Sequence, residues 1–327
     1  MRPRLGFLGV GWIGRARMLA IARQATAEIV AVADAAPDVA GAAASEVGAR
    51  AVSPDELLEG DLGLDGIVIA TPNAAHADQA EHALSRGLAV FCQKPLGRNR
   101  GEAAAMVEAA RRVDRLLAVD LSYRHLQAVA AMRDTIDSGA LGDVYATDLV
   151  FHNAYGPDKA WFRDPDASGG GCVIDLGTHL VDLVLWMLGG PKVDGVDARL
   201  FAGGRRLDPD PRQVEDYAVA RLDLVGGSVV TLACSWFLHA GRDALIGATF
   251  HGSRGAVALT NVGGSFYDFR ADHHSGTESI PLGLPPDDWG GRAVTAWVEH
   301  LAADRSFDPA VGDVVEVADV VDRIYGR

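Results

Sequence analysis

The stretch from Leu5 to Asp34 limits what this chain can fold into more than any other. An apolar run over 5–8 leads into Gly9-Val10-Gly11-Trp12-Ile13-Gly14, a helical pattern follows over 13–23, and a second apolar run over 28–33 stops at Asp34. A Gly-x-Gly-x-x-Gly between a strand and a helix gives a tight turn and lets backbone approach a pyrophosphate at the helix N-terminus. An acid about twenty residues later, at the end of the next strand, suits the adenosine ribose hydroxyls. The chain is therefore expected to open with a dinucleotide-binding fold, with Gly9, Gly11, Trp12, Ile13, Gly14 and Asp34 lining the cofactor. Ala35-Ala36-Pro37 follow Asp34, with no arginine for a 2′-phosphate, so NAD is expected and NADP is the weaker choice. Arg15 and Arg17, on the first helix, are within conceivable reach of the adenosine or the pyrophosphate.

The alternation of strand and helix runs on to about residue 121. Strands are expected at 50–52, 66–70, 88–92 and 116–119, with helices at 39–47, 54–59, after 73, and at 100–113. In such sheets ligands sit beyond the carboxyl ends of the strands. Thr71, Pro72, Asn73, His76, Gln93 and Lys94 fall there and join the expected cofactor contacts. Past residue 121 the runs lengthen: strands at 144–155, 193–201, 214–224, 228–238, 245–251, 256–259 and 265–270, and closing helices at 291–304 and 313–325. The expected fold class is α/β. It comprises a Rossmann doubly wound parallel sheet (1–121) and an α+β substrate and oligomerisation domain (122–327) with a large, mostly antiparallel open sheet.

Composition narrows the partners. The formal charge of −14 speaks against nucleic acid. Cys92, Cys172 and Cys234 have no CxxC spacing, which fits reduced thiols in the cytoplasm and no structural metal. The first apolar run ends at Arg15 and Arg17 without a small-residue cleavage site, and reads as a strand rather than a secretion signal; no membrane span is expected. Three lysines, Lys94, Lys159 and Lys192, stand against 27 arginines. Where arginine is the default cation, a retained lysine draws attention to its compact, titratable amine.

The second notable stretch is Ser168-Gly169-Gly170-Gly171, followed by apolar residues at helical spacing to Trp186. The glycines let backbone come close to something else. Asp175 and His179 stand four apart, on one face of the expected helix. They read either as a proton-transfer pair or as an acid near a helix N-terminus with a packed histidine. A metal reading lacks further ligands at useful spacing.

Taken in order, Gly9-x-Gly11-x-x-Gly14, Thr71-Pro72-Asn73-x-x-His76, Lys94-Pro95, Gly169-Gly170-Gly171 and Asp175-x-x-x-His179 resemble the Gfo/Idh/MocA oxidoreductase family. That family includes glucose-fructose oxidoreductase and inositol dehydrogenases. The resemblance implies hydride transfer between nicotinamide and a secondary alcohol or ketone of a sugar, cyclitol or sugar derivative. It implies that Lys94 assists proton transfer and binds substrate, that the Lys94-Pro95 bond is cis, and that His179, with Asp175, is general base in oxidation and general acid in reduction. Two departures stand out: Gln93 occupies a position where glutamate is usual, and Arg17 one where the first helix often carries histidine. By position, Tyr123, Arg124, His152, Tyr155, Lys159 and Trp161 join Lys94, Asp175 and His179 as expected contacts of a sugar or polyol. An open sheet with helices on one face suggests a homodimer or homotetramer. Rival readings are a redox-neutral NAD-dependent glycosidase, a non-enzymatic NAD-sensing regulator and a dipyrrole-type reductase.

Overall fold

The computed structural model describes residues 2–207 and 212–327. In chain order the elements are β1 (Arg4–Leu8), α1 (Trp12–Gln24), β2 (Glu28–Ala33), α2 (Pro37–Val47), β3 (Arg50–Ala51), α3 (Pro54–Glu59), β4 (Gly66–Ile69), α4 (Asn73–Ser85), β5 (Ala89–Cys92), α5 (Arg100–Val113) and β6 (Leu117–Val119). There follow α6 (Gln127–Asp137), β7 (Val144–Asn153), α7 (Pro165–Ser168), α8 (Thr178–Met187), β8 (Val193–Ala202), β9 (Arg205–Arg206), β10 (Tyr217–Leu224) and β11 (Val229–Ser235). The chain closes with β12 (Ala244–Gly252), β13 (Ala256–Asn261), β14 (Phe269–Ser275), β15 (Glu278–Gly283), α9 (Arg292–Ala303) and α10 (Asp313–Tyr325). It divides into two units, Met1–Ser122 with Gly290–Val315, and Tyr123–Trp289 with Glu316–Arg327.

The first unit is the expected parallel sheet, in the order β3-β2-β1-β4-β5-β6. The order reverses beside β1, which opens the crevice where α/β sheets bind ligands. Every residue of β4 and β5 is buried, so both faces of the sheet need cover. Part of that cover comes from far along the chain. Val294, Trp297, Val298 and Leu301 of α9 join the core formed by Leu5, Phe7, Val68 and Phe91. The Trp297 ring lies 5.6 Å from that of Phe91. Gly66 makes room for it: a Cβ there would stand 3.0 Å from Trp297 Cη2. The sequence division places 122–327 in one block, but this packing returns Gly290–Val315 to the first unit. Burying such side chains is worth about 1.5–3 kcal/mol each relative to exposure.

The second unit is built on a nine-stranded sheet, β15-β14-β13-β12-β7-β11-β10-β8-β9, in which β7 and β11 run parallel and the other pairs antiparallel. Alternate residues of β10 and β11, such as Ala218, Leu222, Val230 and Leu232, face the core shared with α8. Two strands escape the sequence reading. β15 carries Glu278 and Pro281 and is mostly exposed, so it lacks the apolar alternation that marks a strand, as an edge position allows. β9 is two residues long and pairs with β8 across Gly203-Gly204, both at positive φ, a turn only glycine adopts cheaply. β14 also begins at Phe269, later than the expected 265–270. One helical run among the described residues, Pro165–Met187, is long and apolar enough to cross a membrane, but 83% of its window is buried inside the unit. It is a core helix.

Candidate active site

In the first unit the glycine loop is explained by its own backbone. Gly9 has φ +84°, and a Cβ there would stand 2.6 Å from the Ala70 carbonyl oxygen; a Cβ on Gly14 would meet the Gly9 carbonyl oxygen at 2.1 Å. Strand, turn and helix can therefore close together only with these two glycines. Gly11 faces open space, and no acidic side chain or side-chain cap satisfies the first turn of α1. Those N–H groups suit the phosphates of a dinucleotide. Trp12 is 74% exposed beside them and Ile13 half-buried. Asp34 braces the loop: its Oδ2 accepts the Val10 N–H at 2.9 Å and its Oδ1 the Ala36 N–H at 3.0 Å. Each carboxylate oxygen keeps a further lone pair for a ribose hydroxyl. The residues present thus fit the adenosine and phosphate part of NAD.

Arg15 and Arg17, in the first half of α1, are engaged elsewhere. Arg15 forks onto Glu46 at 2.8 Å through both nitrogens, and Arg17 is buried against Asp120 and Ser122. Thr71 donates its hydroxyl to Gln79, Pro72 caps α4, and Asn73 is buried in the first turn of that helix. His76 departs from its expected role as a cofactor contact. It is fully buried, with Nδ1 2.9 Å from the Pro95 carbonyl and Nε2 2.8 Å from that of Thr71. Burial, outweighing those two carbonyls, lowers its pKa. The ring ties the end of β4 to the Lys94-Pro95 turn, and neither nitrogen is left to meet a ligand. The Lys94-Pro95 bond is cis, as the resemblance implies. Gln93 and Lys94 are half-buried between the buried Cys92 and Pro95.

In the second unit Gly169 ends α7 at φ +87°, and the two glycines after it make room for the protein itself. A Cβ on Gly170 would stand 2.1 Å from Tyr325 Oη, and one on Gly171 1.9 Å from the Glu215 carbonyl oxygen. Glu215 is buried; its carboxylate accepts N–H groups from Gly171 at 3.0 Å and Val173 at 2.7 Å, and the Tyr325 hydroxyl at 2.8 Å. Residues Val173–Gly177 then form a π-helical turn before α8. Asp175 therefore stands in the π-helical turn and His179 in the first turn of the α-helix that continues it, and tertiary contacts hold each. Asp175 Oδ2 accepts the indole N–H of the buried Trp236 at 3.1 Å. The His179 ring lies 5.0 Å from that of Tyr123 and 6.2 Å from that of Phe151, beside a small apolar void lined also by Leu183 and Ile246. From Ser168 to Leu185 every residue is buried except Asp175 and His179.

The remaining expected substrate contacts divide. Tyr123 is buried among Phe151, Phe269 and Trp289, and burial pushes its phenol pKa up. Arg124 is spent on an ion pair: its guanidinium reaches the buried Asp182 at 2.5 Å and lies over Trp186. The pair neutralises a buried core carboxylate. His152 is buried, with Nδ1 2.8 Å from Ser235 Oγ and its ring stacked on Tyr217; burial lowers its pKa. Tyr155 is half exposed against Phe266, Lys159 is exposed 3.5 Å from Asp158, and Trp161 stacks on Phe162 at 3.9 Å. Sequence reasoning missed Asp120, Glu215, Trp236 and Tyr325. Only Asp120, just past a strand end on the ligand rim, carried a signal that could have found it. Among the described residues no cluster of His, Cys, Asp or Glu is set to hold a metal.

Comparison with known proteins decides the class. The oxidoreductase-family model with an NAD-binding Rossmann fold matches residues 4–121, and the GFO/IDH/MocA C-terminal domain model matches residues 129–258. The chain belongs to the GFO/IDH/MocA oxidoreductase family. It is thus an NAD(P)-dependent dehydrogenase or reductase. A putative UDP-kanosamine synthase oxidoreductase subunit of Amycolatopsis mediterranei (strain S699) is 33% identical to this oxidoreductase over 79% of the chain and 75% of that protein. Inositol 2-dehydrogenase of Rhizobium meliloti (strain 1021) is 30% identical over 80% and 76%. A solved levoglucosan dehydrogenase in complex with NADH and L-sorbose superposes with a TM-score of 0.82, covering 98% of the chain and 95% of that structure. At 24% identity that likeness speaks for the fold alone.

Proposed function

We propose that the protein is an NAD(H)-dependent oxidoreductase that interconverts a secondary alcohol and a ketone on a sugar, cyclitol or sugar derivative. The observation that carries this is the isolation of Asp175 and His179 as the half-exposed polar residues of an otherwise buried segment, beside apolar walls. The relatives named for inositol and for a nucleotide sugar support the substrate class. Gly9 to Gly14 and Asp34 hold NAD, and bound NAD supplies hydride acceptance in oxidation and donation in reduction. His179 takes the hydroxyl proton in oxidation and returns one in reduction; Asp175, held by Trp236, fixes its surroundings. Lys94 assists the proton transfer and, as an ammonium, stabilises negative charge on the substrate oxygen. Tyr155, Lys159 and Trp161 contribute to substrate binding. Arg15 is paired with Glu46 and Arg17 with Asp120, so neither is spare for a 2′-phosphate, which favours NAD over NADP.

The first unit serves as the cofactor domain and the second as the substrate and assembly domain. We place the enzyme in the cytoplasm, in keeping with its three free, buried cysteines. The test is NADH formation from NAD+ with a panel of inositols, aldoses and their oxidised forms. Turnover should appear with one substrate class and fall about 100- to 10,000-fold in Lys94→Ala and in His179→Ala, with NADH binding by His179→Ala unchanged. Tighter binding of NADPH than NADH would overturn the cofactor preference. Product formed without net NADH would favour the redox-neutral glycosidase, and NAD binding with no turnover the sensor.

A further inference from the structure

Behind Lys94 lies a buried polar chain that the proposed chemistry does not use. Asp120, fully buried just past β6, accepts Arg17 Nε at 2.6 Å, Gln93 Nε2 at 2.8 Å and the Ser122 hydroxyl. Arg17 also donates to Ser122 Oγ at 2.9 Å and to the Gly290 carbonyl. The other end of the Gln93 amide, Oε1, accepts the backbone N–H of Lys94 at 3.0 Å. An ionised carboxylate only accepts, and a backbone N–H only donates. The Gln93 amide can therefore face Asp120 and Lys94 in one sense only, because turning it over would create two like-on-like contacts. Arg17 keeps the buried carboxylate paired, as a charge at 0% exposure requires.

We infer that Arg17, Asp120 and Gln93 are positioning residues that fix the backbone of Lys94 through a one-way relay of hydrogen bonds. The inference rests on the proton-transfer role proposed for Lys94. The groups that face the relay are Arg17 from α1, Cys92 beside Gln93 at the end of β5, and Ser122; His76 of α4 and Glu102 of α5 lie on the Lys94 side. A carboxyl at position 93 can replace the amide only while protonated, its O–H donating to Asp120 and its carbonyl accepting from Lys94. Once ionised it faces Asp120 as a like charge, and that repulsion raises its proton affinity. Gln93→Glu should then resemble the wild type at low pH and depart from it as pH rises. Gln93→Met, of similar shape but with no strong donor or acceptor, should depart at every pH.

The chain has three lysines, so protein labelled with 15N-lysine gives three backbone amide signals, with Lys159 and Lys192 as internal references. We expect the Lys94 amide of Gln93→Met to exchange with solvent roughly tenfold faster than in the wild type, with both references unchanged. In Gln93→Glu the ratio to wild type should climb from near unity toward that value between about pH 5 and pH 8. Turnover should fall in parallel with the loss of protection. A flat ratio in Gln93→Glu, or full protection of Lys94 in Gln93→Met, would overturn the relay; if the Met variant fails to fold, the pH course of the Glu variant decides alone. Retained turnover in Lys94→Ala would instead defeat the catalytic reading of Lys94 and leave the amide result standing as evidence for the relay.

Discussion

Glu215 shows how one buried side chain can hold a loop together. Its carboxylate satisfies two N–H groups at the start of the π-helical turn and the Tyr325 hydroxyl, yet burial still outweighs these bonds and raises its pKa above the ordinary value of 4.5. A folded-state pKa above the unfolded one means that its contribution to stability is complete below the usual carboxylate range and lost as pH rises through the raised value. Glu215→Gln keeps the shape but turns an N–H donor toward backbone donors, at a cost of about 1–3 kcal/mol. Urea melts at several pH values should find the variant weaker at low pH, with the gap narrowing as pH rises. A gap that widens would mean that the ionised carboxylate is the preferred form.

The π-helical turn and α8 form the element on which the site depends. Gly170 and Gly171 are needed because Tyr325 and Glu215 occupy the space where their side chains would be. Gly171→Ala would drive a methyl group onto the Glu215 carbonyl, which cannot move without straining its bond from the Cys172 N–H. We expect a loss of about 2–3 kcal/mol in urea unfolding, accompanied by reduced turnover, since Asp175 lies four residues on. The control Gly190→Ala meets no neighbour within 4 Å, although its φ of +75° carries a cost. A Gly171→Ala variant no weaker than this control would refute the packing argument.

For the whole molecule, the outward residues of the nine-stranded sheet bear on assembly. By strand alternation Val150, Val219, Ala233 and Leu245 face away from the core, and Val219 and Leu245 are 40% and 38% exposed. We propose that a second copy of the chain covers this face, giving a homodimer or homotetramer. Light scattering at micromolar concentration should find the oligomer and should find it weakened in Val219→Glu; a wild-type monomer would refute it.

The order of strands and helices in the first unit and the glycine loop with Asp34 beyond the second strand were legible in the sequence, and the motifs there singled out Lys94, Asp175 and His179, whose roles are proposed above. Each depends on neighbours within about twenty residues: apolar periodicity, a turn that only glycine permits, or a short motif. What the tertiary structure alone decided is which distant groups meet. Trp297 returns from the far end of the chain to cover Phe91, Trp236 crosses 61 positions to hold Asp175, and Arg17 reaches 103 positions to pair with Asp120. His76 and Arg124 looked like ligand contacts because their residue types suit that role, and only their buried partners, two carbonyls and Asp182, give them another. Local periodicity encodes an element; the partner of a buried polar group is chosen by where the folded chain brings the nearest complementary atom, and no short stretch of sequence contains that distance.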